Sequence, residues 1–270
     1  MELLGKPVVE EIYNKIKKRN VNESVKLAII QVGDNPASNV YVKNKINKCI
    51  ELGFKHDLYK FDDNVTENTI INLINFLNSD DSVKGIFVQM PLPENLNEEV
   101  LINTISPFKD VDGLTDTNLG KLFNNKSYHT PCTAQGIIEM LNFYNIELAG
   151  KNVCIVGRSN LVGKPLFHLL TNKNATVTLC HSKTKNLKEI TKKVDILIVA
   201  IGVPKFITSD FVSEGQTIID VGINRTDIGL VGDVDFDNVK NIVENITPVP
   251  KGVGLTTVAC LMKNVSKYVF

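Results

Sequence analysis

The sequence predicts an α/β fold in two domains, each built on a parallel sheet with helices on its faces. Three observations carry this prediction. Strand-like and helix-like segments alternate along almost the whole chain. A glycine-rich strand–turn–helix, KNVCIVGRSNLVGKP, opens a second run of strands. The most apolar segment, ILIVAIGV (196–203), has the length of a buried strand and is far too short to cross a bilayer.

In the first half, VKLAIIQVG (25–33) reads as a buried strand, followed by a helix from Ala37 to Leu52 that Gly53 can end. LYKF (58–61) is a short strand. NVTE (64–67) starts a helix, with Asn64 as N-cap and Glu67 three residues on. KGIFVQMPLP (84–93) is a strand running into a proline-rich turn, and NEEVLINTI (97–105) is a helix. After DVDG comes a loop to Thr130, and PCTAQGIIEMLNFYNI (131–146) then forms a helix with Pro131 at its start. KNVCIVG, ATVTLC, DILIVAIG and TIIDVGIN follow as four strands. TTVACLMKNVSKYVF (256–270) is an amphipathic helix, expected to pack back on the first domain. The domains are therefore drawn as 1–130 plus 255–270, and 131–254.

Thirty basic and thirty acidic residues cancel in the 270-residue chain. Such a balance gives no general attraction to nucleic acid or to a membrane surface, so a small-molecule partner is expected. MELLGKPVVEEIY carries acids early and has no long apolar run, unlike a signal peptide. Cys49, Cys132, Cys154, Cys180 and Cys260 form no CxxC pair. They read as reduced core thiols of a cytoplasmic protein, with no metal site.

The turn in KNVCIVGRSNLVGKP lets backbone N–H groups and a helix start near Leu161 meet a pyrophosphate. Its Gly157, Ser159 and Gly163 do not spell GxGxxG, and a glycine turn can also serve only to join strand to helix. The next strand adds to the signal. An NAD site commonly closes that strand with an acid, whereas ATVTLC runs into His181, Ser182, Lys183 and Thr184. With Arg158 in the turn, these hydroxyls and cations suit a 2′-phosphate and favour NADP.

Ligands in open α/β sheets bind beyond the carboxyl ends of the strands. That edge of the first domain receives Gly33, Asp34, Gln89, and Asp110 and Asp112 of the DVDG loop, although loop acids are often only caps. On the Ala37 helix, Val42, Ile46, Cys49 and Ile50 make the core stripe. Tyr41 and Lys45 share the adjoining row, at the edge of the buried face. A partly desolvated lysine there can serve as a base. YxxxK also occurs in short-chain dehydrogenases, but there it follows the glycine turn in the same domain, and here it precedes it by over a hundred residues.

Ordered blocks along nearly the whole chain resemble the bifunctional methylenetetrahydrofolate dehydrogenase/methenyltetrahydrofolate cyclohydrolase family. They are VGDNPASNVYVKNK (32–45), GIFVQMPLP (85–93), KDVDG (109–113), PCTAQGI (131–137), VGRSNLVGKP (156–165), VTLCHSKT (177–184), IDVGINR (219–225) and ITPVPKGVG (246–254). The resemblance implies an N-terminal folate-binding catalytic domain, a Rossmann-like NADP-binding domain, a homodimer through the latter, and no appended formyltetrahydrofolate synthetase. It puts the catalytic lysine on Lys45, with Gln89 beside it, Tyr41 along the folate's aminobenzoate ring, and Asp112 on the pterin. It assigns Gly157, Arg158, Ser159, Gly163, Ser182 and Ile223 to the cofactor. The family's PGGVGPMT is PKGVGLTT here, with Lys251, Leu255 and Thr256 substituted. If the first glycine needs a positive φ, the lysine is strained.

The implied chemistry is oxidation of 5,10-methylenetetrahydrofolate with NADP, then hydrolysis to 10-formyltetrahydrofolate. A monofunctional NAD enzyme would not need Lys45 and would want an acid near His181. A shikimate-type dehydrogenase leaves Tyr41, Gln89 and Asp112 unexplained, and a non-catalytic folate or nucleotide sensor predicts binding without turnover.

Overall fold

The computed structural model describes residues 1–19, 25–227 and 229–268. The chain forms two compact units, Ile12–Thr130 with Leu261–Phe270, and Met1–Glu11 with Pro131–Cys260. By contact, Met1–Glu11 and residues 255–260 therefore lie with 131–254, unlike the division drawn from the sequence. The reason is local. Leu3 N donates to Ile246 O and Gly5 N to Lys251 O, while Thr256 packs against Gly136.

Helix α1 (Gly5–Lys17) precedes the first sheet. The elements β1 (Lys26–Val32), α2 (Pro36–Leu52), β2 (Lys55–Phe61), α3 (Glu67–Ser79), β3 (Val83–Val88) and α4 (Glu98–Thr104) then alternate. A short α5 (Asp116–Leu122) follows. The strands are all parallel, in the order β2-β1-β3, with Ile30 level with Tyr59 on one side and Val88 on the other. Ile70, Ile74 and Leu77 of α3 recur at helical spacing and pack on Ala28, Ile30, Ile86 and Val88. Burying each such side chain stabilises the unit by about 2 kcal/mol.

Several bounds differ from the sequence reading. α3 starts at Glu67, and its N-cap is Thr66, whose hydroxyl accepts from Thr69 N, not Asn64. Val65 N donates to Asp62 O, so Asn64 lies in the preceding turn. β2 extends back to Lys55, where its amide bonds Val25 O. α1 and α5 were not anticipated; α5 is capped by Thr115, which accepts from Asn118 N.

The second unit comprises α6 (Cys132–Phe143), β4 (Asn152–Val156), α7 (Gly163–Thr171), β5 (Thr176–Cys180), α8 (Leu187–Thr191), β6 (Ile196–Val199) and β7 (Thr217–Asp220). An antiparallel hairpin of β8 (Asn224–Thr226) and β9 (Gly229–Val231), then α9 (Phe236–Val239) and β10 (Asn245–Ile246), complete it. Its sheet is parallel, ordered β10-β7-β6-β4-β5. The hairpin and the two-residue fifth strand are too short to carry a periodic signal. α7 begins at Gly163 rather than near Leu161.

Helix α10 (Gly254–Val265) runs from this unit into the other. Past Cys260 it packs back as expected: Met262 Sδ lies 3.8 Å from Cys49 Sγ, and Asn264 donates to Val111 O and Thr130 O. Residues 269–270 of the expected helix lie outside the described residues. All five cysteines are buried.

Candidate functional site

The site in the first unit starts with how α2 leaves β1. Asn35 Oδ1 accepts from Ser38 N, and Gln31 donates from its buried amide to Asn39 Oδ1, tying the first turn of α2 to the strand below. The buried face of α2 is Ser38, Val42, Lys45, Cys49 and Leu52, at spacings of four and three. This corrects the predicted stripe. Ile50 is 63% exposed, Lys45 is only 7% exposed, and Tyr41 is 42% exposed. Lys45 is thus inside the buried face, and Tyr41 is on the open side beside it.

What lets a lysine sit there is the end of β3. Gln89 N donates to Ile30 O, continuing the β3–β1 pairing by one residue. The Gln89 side chain donates from Nε2 to Met90 O at 2.5 Å, which turns Oε1 toward the helix. Lys45 Nζ donates to that Oε1 at 3.0 Å, within the buried region. Lys45 Nζ also lies 4.4 Å from the Phe87 ring centroid and 5.6 Å from that of Tyr41. The structure therefore brings Tyr41, Lys45 and Gln89 together.

The KDVDG segment divides its labour. Lys109 donates to the carbonyls of Leu77, Asn78 and Asp80, closing the C-terminus of α3. Asp110 is buried and accepts from Gly113 N, Leu114 N, Thr115 N and Asn118 Nδ2. Asp110 is therefore the clamp of its own loop. Asp112, two residues on, is half-buried. Ile86 N donates to Lys109 O, so the loop is bridged to β3 three residues before Gln89. Gly85 permits that approach, since a Cβ there would stand 2.6 Å from Val111 Cγ1.

In the second unit, the β4–α7 turn is built for close backbone approach. Gly157 has φ +126°, and a Cβ on it would lie 2.2 Å from Ala200 O; one on Gly163 would lie 2.0 Å from Gly157 O. Ser159 Oγ accepts from Val162 N, and Val162, the N-cap of α7, has no side-chain cap of its own. Arg158 and Ser159 are exposed on this turn. At the end of β5, His181 Nδ1 accepts from Lys183 N and His181 N donates to Thr184 Oγ1, a closed turn that leaves Ser182 and Lys183 exposed. These residues fit a phosphorylated dinucleotide: glycines where the backbone must approach, with hydroxyls and cations but no acid at the β5 end.

Ile223 follows β7 and is 46% exposed; a Cβ on Gly254 would stand 2.8 Å from its Cδ1. This is where the PKGVGLTT departure falls. Lys251 has φ +88°, the conformation that suits glycine. Thr256 is fully buried, donating to Val253 O, and Leu255 is exposed. Sequence reasoning missed two acids nearby. Asp220, at the end of β7, accepts from Gly222 N, Asp233 N and Val234 N. Burial pushes its carboxyl up to about 7, against those three N–H groups. Asp233 accepts from Ile201 N, Gly202 N and Asn224 Nδ2. The alternation of glycine and acid in IDVGIN and GDVD was the available signal.

Residues 3–112 match the family model for the tetrahydrofolate dehydrogenase/cyclohydrolase catalytic domain, and residues 131–269 match that family's NAD(P)-binding domain. The chain is 49% identical to the bifunctional protein FolD of Bacillus cytotoxicus over 239 residues, 88% of this chain and 84% of that one. Among solved structures, it resembles the bifunctional FolD methylenetetrahydrofolate dehydrogenase/cyclohydrolase of Campylobacter jejuni, with a TM-score of 0.96 and 43% identity, covering 100% of this chain and 98% of that one. It also resembles the Trypanosoma brucei methylenetetrahydrofolate dehydrogenase-cyclohydrolase complexed with NADP and an inhibitor, with a TM-score of 0.90, 31% identity, and 98% and 95% of the two chains covered.

Proposed function

Because the chain belongs to the tetrahydrofolate dehydrogenase/cyclohydrolase family, we propose that its buried Lys45–Gln89 pair performs the hydrolytic half of a two-step folate reaction. The chain is a bifunctional enzyme that oxidises 5,10-methylenetetrahydrofolate to the 5,10-methenyl compound with NADP and hydrolyses that to 10-formyltetrahydrofolate. The hydrogen bond from Lys45 to Gln89 is the observation that carries the assignment of residues.

When bound, NADP supplies the nicotinamide carbon that accepts a hydride from the one-carbon bridge. Gly157 and Gly163 leave room for its pyrophosphate, with Ser159 on the same turn, Arg158 and Ser182 hold the 2′-phosphate, and Ile223 touches the cofactor. Tyr41 lies along the aminobenzoate ring of the folate. Asp112 accepts from the amino and ring N–H groups of the pterin, a paired recognition that suits a carboxylate.

In the hydrolytic step, water adds to the bridge carbon of the methenyl cation, and a neutral Lys45 takes the proton it loses. The bond from that carbon to N5 then breaks as N5 takes a proton from Lys45, and the hydroxyl proton leaves to solvent as the formyl C=O forms. Gln89 keeps the amine aimed and polarises the adduct. The unit of Ile12–Thr130 with Leu261–Phe270 carries the folate chemistry, and the unit of Met1–Glu11 with Pro131–Cys260 carries the cofactor. The enzyme works as a cytoplasmic homodimer on small molecules, without nucleic acid.

Spectroscopic assay tests this reading. Methylenetetrahydrofolate oxidation is followed with NADP⁺ and with NAD⁺ separately, then the decay of added methenyltetrahydrofolate. Oxidation favouring NADP⁺, with accelerated decay, is expected. Oxidation by NAD⁺ alone, without accelerated decay, would contradict it.

A further inference from the structure

The loops after β6 and β7 end at the carboxyl edge of the cofactor-side sheet, where a ligand lies in an open α/β fold. Both loops are held by one side chain. Asp233 Oδ2 accepts from Ile201 N at 2.7 Å and from Gly202 N at 2.9 Å, on the loop after β6. Its Oδ1 accepts from Asn224 Nδ2 at 2.9 Å, on the segment after β7. Asp220 in turn holds Asp233 by its backbone N–H at 2.9 Å and holds Gly222 N at 3.0 Å.

Ile223 stands between those two anchored neighbours, Gly222 and Asn224. The loop has no side-chain bulk to stiffen it at residue 222, because a Cβ there would fall 2.1 Å from Asp233 Oδ1. The carboxylates supply the rigidity that the glycine removes. Asp233 itself is fully buried. Asparagine could not replace it, since one amide oxygen cannot accept all three donors and its NH₂ would face a donor.

We propose that Asp233 is a positioning residue for the nucleotide half of the reaction, fixing Ile223 and the Ile201–Gly202 turn at the cofactor. This rests on the NADP site assigned above. It predicts a split that a mere brace of the fold would not produce. Disturbing Asp233 disturbs NADP and leaves the Lys45 chemistry, which belongs to the other compact unit, untouched.

The test uses the full chain carrying Asp233→Asn. NADP⁺ binding is measured by titration calorimetry, the KM for NADP⁺ and kcat in the oxidation, and the rate of methenyltetrahydrofolate decay. The Kd and KM are expected to rise by about tenfold, as for a buried donor left unpaired, while decay of methenyltetrahydrofolate keeps the parent rate. Unchanged nucleotide affinity, or a fall of binding and both activities in step, would overturn the proposal. Asn224→Ala keeps the carboxylate and its two backbone partners, and is expected to show the same split at smaller size. If Asp233→Asn does not fold, unchanged affinity in Asn224→Ala overturns it. Failure of the unsubstituted chain to turn over either folate would refute the functional reading, while the calorimetric comparison still decides this one.

Discussion

Lys45 and Gln89, forty-four positions apart, meet in a buried hydrogen bond of 3.0 Å between Nζ and Oε1. Neither element could make this site alone. α2 presents the lysine on its buried face, and the residue just past β3 meets it with an acceptor whose own amide is already held by Met90 O. A buried, hydrogen-bonded amine in contact with an aromatic ring is held in one place, which a proton-transfer group needs.

Asp112→Ala is expected to weaken folate binding by about tenfold or more, the scale of a lost charge-assisted pair. Both activities should suffer through KM, while NADP⁺ affinity stays at the parent value. Steady-state kinetics with each folate, beside calorimetry with NADP⁺, check this. Unchanged folate KM would remove Asp112 from the pterin site.

How much of this was legible in the sequence depended on the length of each signal. β1, β3, β4, β6 and β7 are buried parallel strands, and such strands read as continuous apolar runs. β10 has two residues and α5 has seven with Gly120 inside it, so neither carries a period. The burial of Lys45 was not legible, because Ile46 and Ile50 are more apolar and drew the predicted stripe around the helix. Gln89, Phe87 and the packing of Cys49 on Met262 mark the true face. Asp110 and Asp112 are chemically identical in the sequence; the four donors gathered by Asp110 tell them apart.

Lys251→Gly is expected to stabilise the chain. At φ +88° a lysine is strained, by about 1 kcal/mol or more, and glycine is not. The lysine is exposed, so little packing is lost with its side chain. A higher urea midpoint for the variant checks this, and a lower one would show that Lys251 is held there by contacts that outweigh the strain.

Asp220 links stability to pH. Its carboxyl sits at about 7 when folded, against an ordinary value of 3.8, chiefly because it is buried. The folded state therefore binds the proton more tightly. Its contribution is fully present below about pH 4 and is lost as pH rises through about 7, at most roughly 4 kcal/mol. Urea midpoints at about pH 5 and about pH 8 should fall less steeply in Asp220→Asn than in the parent. Equal slopes would contradict the assignment.

We propose that Lys45 moves the proton in ring opening. Lys45→Met keeps the length and the apolar contact with Phe87 and removes the amine. The decisive measurement is the decay of methenyltetrahydrofolate with this variant, with folate and NADP⁺ binding measured alongside. Decay at the uncatalysed rate is expected while both ligands still bind. Decay at the parent enzyme's rate would contradict it.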